Sequence, residues 1–558
     1  MMGSEVKKIF LDKKVLLLIV IGLLVFGLRL GNLNESIYDD EFNHAYSLTV
    51  MDSLGYNHDY YSAVPFNLLY KPFIKFFGLT TNVFRFIPWL FGILNTVLVY
   101  LFARRLFNKN VAFFATLLML FSFYSTLASL QFDVEGSLVM FSVLLLFFSL
   151  TEYYHTKFRK QKTFWQILAG IGLGLAIISK YNAVYLVLII VIYAFFKRKW
   201  DIKQVIKDLF LICLSGFMLF VLYWVVGMLS DPNWINFLWV VGFDRYHNSG
   251  LYALAPLMYL LWATPLLIGF YVIAFFRKSK ELLLFLLWIT IPLLFYTLIL
   301  PFGAMDRYFM MTIPALAILG GYFIEKVSLR KIHIIFGIVI LFVFTSILFI
   351  LNSKIIINLA RIPSLYLEQL KNLNLDFLFV YTSSSGPTFG VNFLVIALSF
   401  FCAFLCLLLY LFYAKKPIGK YFFTLFLVIS LSFNIFLVTE YLYHPTSVDV
   451  SEEKLKMIDF IIEKGLERPY YSTDSGLLWY FDNDRWGNKG NALVVPDNEI
   501  GADISYVKSY LIENGGTLMI VNWPPLPEKS PVKELIGYCE LEKEFYNKNY
   551  LVGEVYIC

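Results

Sequence analysis

The chain has 558 residues, of which 59% are apolar, 19% aromatic and only 15% charged. A soluble domain runs nearer a quarter charged, so the composition excludes an ordinary water-soluble globule and points to a polytopic membrane protein. The formal net charge is +6, but the basic residues fall in short clusters between apolar runs and form no basic surface interleaved with aromatics; this argues against a nucleic-acid partner.

A span needs about 20 apolar residues. By that measure about thirteen transmembrane helices are expected, near 14–30, 84–103, 111–128, 136–151, 163–179, 181–196, 209–229, 252–276, 281–300, 308–325, 332–352, 391–413 and 421–443. Lys7, Lys8, Lys13 and Lys14 precede the first run and no small-residue cleavage site follows it, so a retained helix is expected. Basic clusters at Lys7 to Lys14, Arg104-Arg105 with Lys109, Lys157 to Lys162, Lys197 to Lys207, Arg277 to Lys280, Lys326 to Lys331 and Lys415 to Lys420 alternate with loops nearly free of them. Positive loops stay cytoplasmic, so the N-terminus is expected inside and, with an odd span count, the C-terminus outside the plasma membrane.

The first outer loop, about 31–83, holds Tyr38-Asp39-Asp40-Glu41-Phe42-Asn43-His44. Its half-apolar stretches 42–54 and 66–77 are too short to span and read as interfacial helices. Later outer loops carry Gln131-Phe132-Asp133-Val134-Glu135, Ser179-Lys180-Tyr181-Asn182, Asp244-Arg245-Tyr246-His247 and Asp306-Arg307-Tyr308. Carboxylates and cations from separate loops thus fall on one side of the membrane, as in a site or, alternatively, a solvated rim. The segment 353–390 reads as a longer outer loop, either a mobile cover or a plain connection.

From about 444 the composition turns polar. Helical patterns at 451–465 and 503–513, with β-rich runs at Ala492 to Val495 and Thr517 to Val521, predict a small C-terminal α/β domain, 444–558, outside the membrane and following a transmembrane domain, 1–443. Cys213, Cys402 and Cys406 lie in apolar runs and read as packing residues. Cys539 and Cys558 can form one disulfide if the tail faces an oxidising side.

Three consecutive carboxylates beside a membrane helix need solvent, a partner or a substrate. Asp40 with Glu41 suits a general base with a neighbouring acid, because like charge and partial burial make one of two close carboxylates hold its proton more tightly. Two other readings stand beside it: an N-cap cluster for the helix 42–54, and ligands for a divalent cation. Asp133 and Glu135 either serve a site or are solvated at the membrane boundary. Lys180 either snorkels to the interface or meets an anion. Arg307 with Tyr308, ahead of Pro314, suits a phosphate; Arg245 and His247 either assist it or form an ordinary loop pair. His44 is a hydrogen-bond donor for a substrate or a structural histidine.

The order of these pieces resembles the GT-C class of polyprenyl-phosphate-sugar-dependent glycosyltransferases, in its protein O-mannosyltransferase and aminoarabinose transferase branch. The matching residues are Asp40-Glu41 with Ala45 after the first span, Pro65 ahead of an interfacial helix ending at Gly78, Asp133 before Leu138-Val139-Met140-Phe141, Ser179-Lys180, and Asp306-Arg307-Tyr308-Phe309 with Pro314. The likeness covers roughly residues 10–330. It implies a GT-C membrane fold and transfer of a sugar from a polyprenyl-phosphate donor, such as dolichyl phosphate mannose, to a protein, lipid or glycan acceptor of the cell envelope. Asp40 would deprotonate the acceptor, Glu41 would assist or orient it, and Asp133 would position acceptor or sugar. Arg307, Lys180 and Lys71 would face the lipid-linked phosphate. Asp39 makes a triplet where the family has a pair, and Glu135 competes with Asp133 for its role. No cofactor is required, although a divalent cation is compatible.

A transporter or flippase of a lipid-linked or polar solute is the second reading. Its polar residues would sit near helix middles, in two related halves, whereas here the ionisable residues crowd the outer ends. An oligosaccharyltransferase would want a Trp-Trp-Asp type element in the tail, and Leu478-Trp479-Tyr480-Phe481-Asp482 is only a loose echo. A membrane anchor for the tail would need far fewer spans.

Overall fold

The computed structural model of the chain describes residues 12–51, 53, 64–134, 136–230, 265–277, 279–299, 306–327, 329–354, 358–359, 363–381, 388–466, 468–482, 492–495 and 504–558; the side chains of Asp39, Asp40 and Asp306, among others, fall outside the description. Helices α1 (Lys13–Leu30), α2 (Asp39–Val50) and α3 (Val64–Phe77) come first, the last two where interfacial helices are expected. There follow α4 (Thr81–Leu106), α5 (Lys109–Phe121), α6 (Phe123–Leu130), α7 (Ser137–His155), α8 (Arg159–Ser179), α9 (Tyr185–Lys197) and α10 (Ile202–Ser230). Then come α11 (Pro265–Phe276), α12 (Leu283–Leu294), α13 (Ile313–Val327), α14 (Lys331–Asn352), α15 (Pro363–Lys371), α16 (Phe393–Tyr413) and α17 (Pro417–Tyr443). Among the described residues nine helices are long and apolar enough to cross a membrane, or ten if the bent pair α5 and α6 is one span. The apolar runs are helical wherever they are described, apart from the break at Ser122, a turn at Gly136 and a strand end at Val391 and Asn392. This is an integral membrane protein.

By its contacts the chain divides into two compact units: residues 1–33, 51–341 and 402–435 form one, and 34–50, 342–401 and 436–558 the other. The division differs from a cut at 444, because the short helix α2 and the segments 342–401 and 436–443 group with the tail.

Within the first unit α8 packs on both α7 and α10. Its glycines make this possible. A Cβ at Gly170 would lie 2.4 Å from the Ile212 carbonyl oxygen, and one at Gly172 would lie 2.7 Å from the Leu146 nitrogen. Where lipid tails are as apolar as leucine, such close backbone approach is what holds helices together. Aromatic side chains fill the rest, as where Trp288 meets Phe147 at a centroid distance of 4.5 Å.

The second unit is built on a five-stranded sheet formed by β3 (Tyr470–Ser472), β4 (Ala492–Val494), β5 (Thr517–Val521), β6 (Glu540–Asn547) and β7 (Tyr550–Ile557), in the order β4-β3-β5-β7-β6. The first three are parallel and the last two pair antiparallel. Alternate residues of β5 face opposite sides, as pleating requires. Leu518 and Ile520 join Val507, Leu511, Val532 and Leu535, while Met519 joins Met457, Ile461, Leu477 and Val555. Helices α18 (Val450–Lys464), α19 (Ser475–Asp482) and α20 (Ser505–Asn514) cover it. The segment 353–390 is not a plain loop: it carries α15 and the strand β1 (Leu378–Tyr381), which pairs antiparallel with β2 (Phe389–Asn392). Cys539 and Cys558 are joined as a disulfide.

Candidate active site

In the first unit the site grows out of the broken helix. Helix α5 stops at Phe121, Ser122 takes an extended conformation, and α6 leaves at 62°. A helix end exposes unpaired backbone groups, which are costly away from water. Here side chains satisfy them. The Arg29 guanidinium, 1% exposed, donates to the Leu120 carbonyl at 2.8 Å, to Thr126 Oγ1 at 2.9 Å and to Ser129 Oγ at 3.0 Å. Arg85 donates to the Leu130 carbonyl at 2.7 Å, and Asn434 Oδ1 accepts from the Phe123 N–H at 3.1 Å.

Beyond α6 the ring of Phe132 stacks on Phe84 at 4.7 Å with planes 8° apart, and Tyr70 and Phe66 flank it at 5.5 and 6.1 Å. This wedge fixes the next residue, Asp133. Its Oδ2 lies 3.2 Å from Arg307 Nε, and the two side chains are 1% and 8% exposed. Arg307 stands on a 3-10 turn, Asp306–Thr312, that feeds α13. Pro314, in the first turn of α13, is tolerated because the N–H it lacks would find no partner within the helix.

Lys180 caps the C-terminal end of α8 in an extended conformation. Its ammonium lies 4.2 Å from the Tyr308 ring centroid, and the Arg307 guanidinium lies 5.8 Å from the same ring. A small cavity is lined by Lys180 and Tyr308 together with Val139, Ala183, Tyr185, Tyr296 and Met311. One cation locked on a carboxylate and another over an aromatic face give positive charge in a place of low polarity. An anionic group gains most from such charge.

In the second unit the acidic motif opens α2. Tyr38 precedes the helix, and its N–H donates to Glu41 Oε2 at 3.2 Å. That is the carboxylate half of a capping box. Glu41 is fully buried, so its observed work is to hold the helix start. Burial, with the charge of Glu35 as a smaller contribution, pushes the Tyr38 phenol well above its ordinary value and keeps it neutral. The start of α2 is also stitched to the tail. Ser36 N–H donates to Ser451 Oγ at 2.7 Å, Ile37 N–H to Tyr480 Oη at 3.3 Å, and Lys454 Nζ to the Ile37 carbonyl at 2.7 Å. Asp40 is the second residue of α2, although its side chain lies outside the described residues. His44 is buried on the same helix.

The structure therefore brings Asp133, Arg307, Lys180 and Tyr308 together. Lys71 donates to the Ser53 carbonyl, while Arg245, His247 and Glu135 lie outside the described residues. Among the described residues no group of three or more His, Cys, Asp or Glu is placed to hold a metal ion. Arg29 could have been noticed as a charge inside an apolar run. Lys454, Tyr185, Tyr296 and Met311 carry no local signal, because only the fold brings them to these places.

Residues 64–224 match the family model described as dolichyl-phosphate-mannose-protein mannosyltransferase, a stretch that includes Asp133 and Lys180. No curated protein matches the chain at a significant level. The fold is similar to that of ArnT from Cupriavidus metallidurans. The crystal structure with undecaprenyl phosphate bound superposes with a TM-score of 0.61 at 16% identity over 97% of each chain, and the apo structure with 0.61 at 15% identity over 97% of each.

Proposed function

We propose that this chain is a membrane glycosyltransferase of the GT-C class that transfers a sugar from a polyprenyl-phosphate donor to an acceptor hydroxyl or phosphate on the extracytoplasmic face, with Asp40 as the general base; the mannosyltransferase family model over residues 64–224 and the ArnT-like fold support the class. The observation that carries the reading is the Arg307 guanidinium held on the buried carboxylate of Asp133, with the Lys180 ammonium over the adjoining Tyr308 ring. Undecaprenyl phosphate bound to the similarly folded ArnT supports a lipid of this class as the donor's carrier.

In the reaction the acceptor O–H gives its proton to the Asp40 carboxylate while its oxygen attacks the anomeric carbon. The bond from that carbon to the phosphate oxygen breaks, and the electron pair leaves with the polyprenyl phosphate. Arg307 and Lys180 stabilise the negative charge that grows on the leaving phosphate. Asp133 holds Arg307 in place and makes no bond to the sugar in this reading. Glu41 acts through the helix, by fixing the turn that bears Asp40. The alternation of basic loops and the disulfide in the tail both support an outward-facing site.

Arg307→Ala tests the phosphate contact. Its apparent KM for a polyprenyl-phosphate-sugar donor should rise by roughly tenfold or more, as for loss of one charge-assisted hydrogen bond, and Arg307→Lys should recover part of it. Donor affinity unchanged in a folded Arg307→Ala protein would remove Arg307 from the phosphate site.

A further inference from the structure

The tail sheet belongs to the same compact unit as α2, and its contacts with the start of that helix centre on one buried lysine. Lys454 has no solvent exposure and sits on α18. Its ammonium donates to Asp474 Oδ2 at 2.8 Å and to the Ile37 carbonyl at 2.7 Å, and lies 4.2 Å over the Tyr38 ring. All three contacts fall within three residues of Asp40 or on the residue that fixes the lysine. Nearby, Ser451 and Tyr480 accept the N–H groups of Ser36 and Ile37. Gly476 lets the chain come this close, since a Cβ there would lie 2.0 Å from the Ile37 carbonyl oxygen.

A buried ammonium is costly and persists only when paired and hydrogen-bonded. Here its hydrogen bonds go to a tail carboxylate and to the backbone two residues before the helix begins. We infer that Lys454 is a positioning residue for the transfer reaction: with Ser451 and Tyr480 it locks the first turn of α2, so that the tail domain sets where Asp40 stands. This rests on the reading of Asp40 as the base. Tightening the turn fixes orientation, and small misplacement of a reacting group far from the site of mutation is enough to cost about a hundredfold in rate.

The test uses the full-length protein in detergent or liposomes, with a radiolabelled polyprenyl-phosphate sugar, in four variants: Lys454→Met, Lys454→Arg, Tyr480→Phe and Asp40→Asn. Rates are normalised to the number of donor-binding molecules, so that unfolded protein does not count. Lys454→Met and Tyr480→Phe are expected to lower kcat by tenfold or more and by several-fold, with donor KM within about twofold of wild type. Lys454→Arg, which keeps a cationic donor for Asp474 and Ile37, should recover much of the rate. If Lys454→Met does not fold, Tyr480→Phe decides, since it removes one hydroxyl and leaves the ring. Wild-type kcat per binding molecule in the folded variants overturns the proposal, as does a loss of rate matched by an equal rise in donor KM. Full activity in Asp40→Asn overturns the base reading separately, whatever the other three variants do.

Discussion

Arg307 and Asp133 are almost fully withdrawn from water, and each supplies charge that the surroundings no longer offer the other. Removing one partner of such a pair costs about 3–5 kcal/mol, because the survivor is left charged in a poor solvent. Asp133→Asn is therefore expected to lower both thermal stability and donor affinity, whereas Asp133→Glu should retain a measurable part of each; wild-type behaviour in Asp133→Asn would mean that the pair is dispensable. At the tail surface Glu554 shows a different balance. Burial raises its carboxyl above the ordinary value of 4.5, the Tyr556 hydroxyl lowers it somewhat, and Glu544, its cross-strand neighbour, raises it further. A raised carboxyl favours the protonated form, so ionisation weakens the fold as pH climbs through the folded value. Glu554→Gln should raise the unfolding temperature at pH 7, with a gain that shrinks on acidification and is gone below pH 4.5. A gain independent of pH would show that charge is not its cause.

The broken helix of α5 and α6 is the element on which the Asp133 side of the site depends. Its bend leaves backbone groups that Arg29, Arg85 and Asn434 help to satisfy. Arg29→Met should cost roughly 3 kcal/mol, about the worth of a charge-assisted hydrogen bond to a buried group. The loss should appear as lower thermal stability together with weaker donor use, since the loop bearing Asp133 follows directly. Stability unchanged in Arg29→Met would deny the bend this support. The run 111–128 reads in the sequence as one span, because hydropathy reports apolar length and is blind to a turn at Ser122. The helices themselves were legible from their apolar length. The short helix α15 and the strands β1, β2, β6 and β7 were not: Glu540–Asn547 carries alternating charges on an exposed edge, and β1 and β2 are four residues each.

At the scale of the whole molecule the tail is a sheet domain closed by one covalent link. The bond between Cys539 and Cys558 spans 19 residues. Closing a loop of that size stabilises by about 3 kcal/mol through the unfolded chain. Reduction or Cys539→Ser with Cys558→Ser should lower the unfolding temperature of the tail; an unchanged temperature would make the link dispensable. Of the candidate site, Asp133, Lys180, Arg307 and Tyr308 were legible because each marks a polar interruption beside an apolar run. Capping of α2 by the acidic cluster was among the readings the sequence offered, but the role of Lys454 as an anchor for α2 was not, since a lysine on an amphipathic helix looks solvated until the fold buries it.

Purified protein in liposomes, given a labelled polyprenyl-phosphate sugar and a membrane extract as acceptor with chelator present, offers the most direct measurement. Label should pass to acceptor with wild type, and Asp40→Asn should lose nearly all of that transfer while still binding donor. Transfer retained by Asp40→Asn, or absent from wild type while solute crosses the bilayer in its presence, would contradict a glycosyltransferase that works through Asp40.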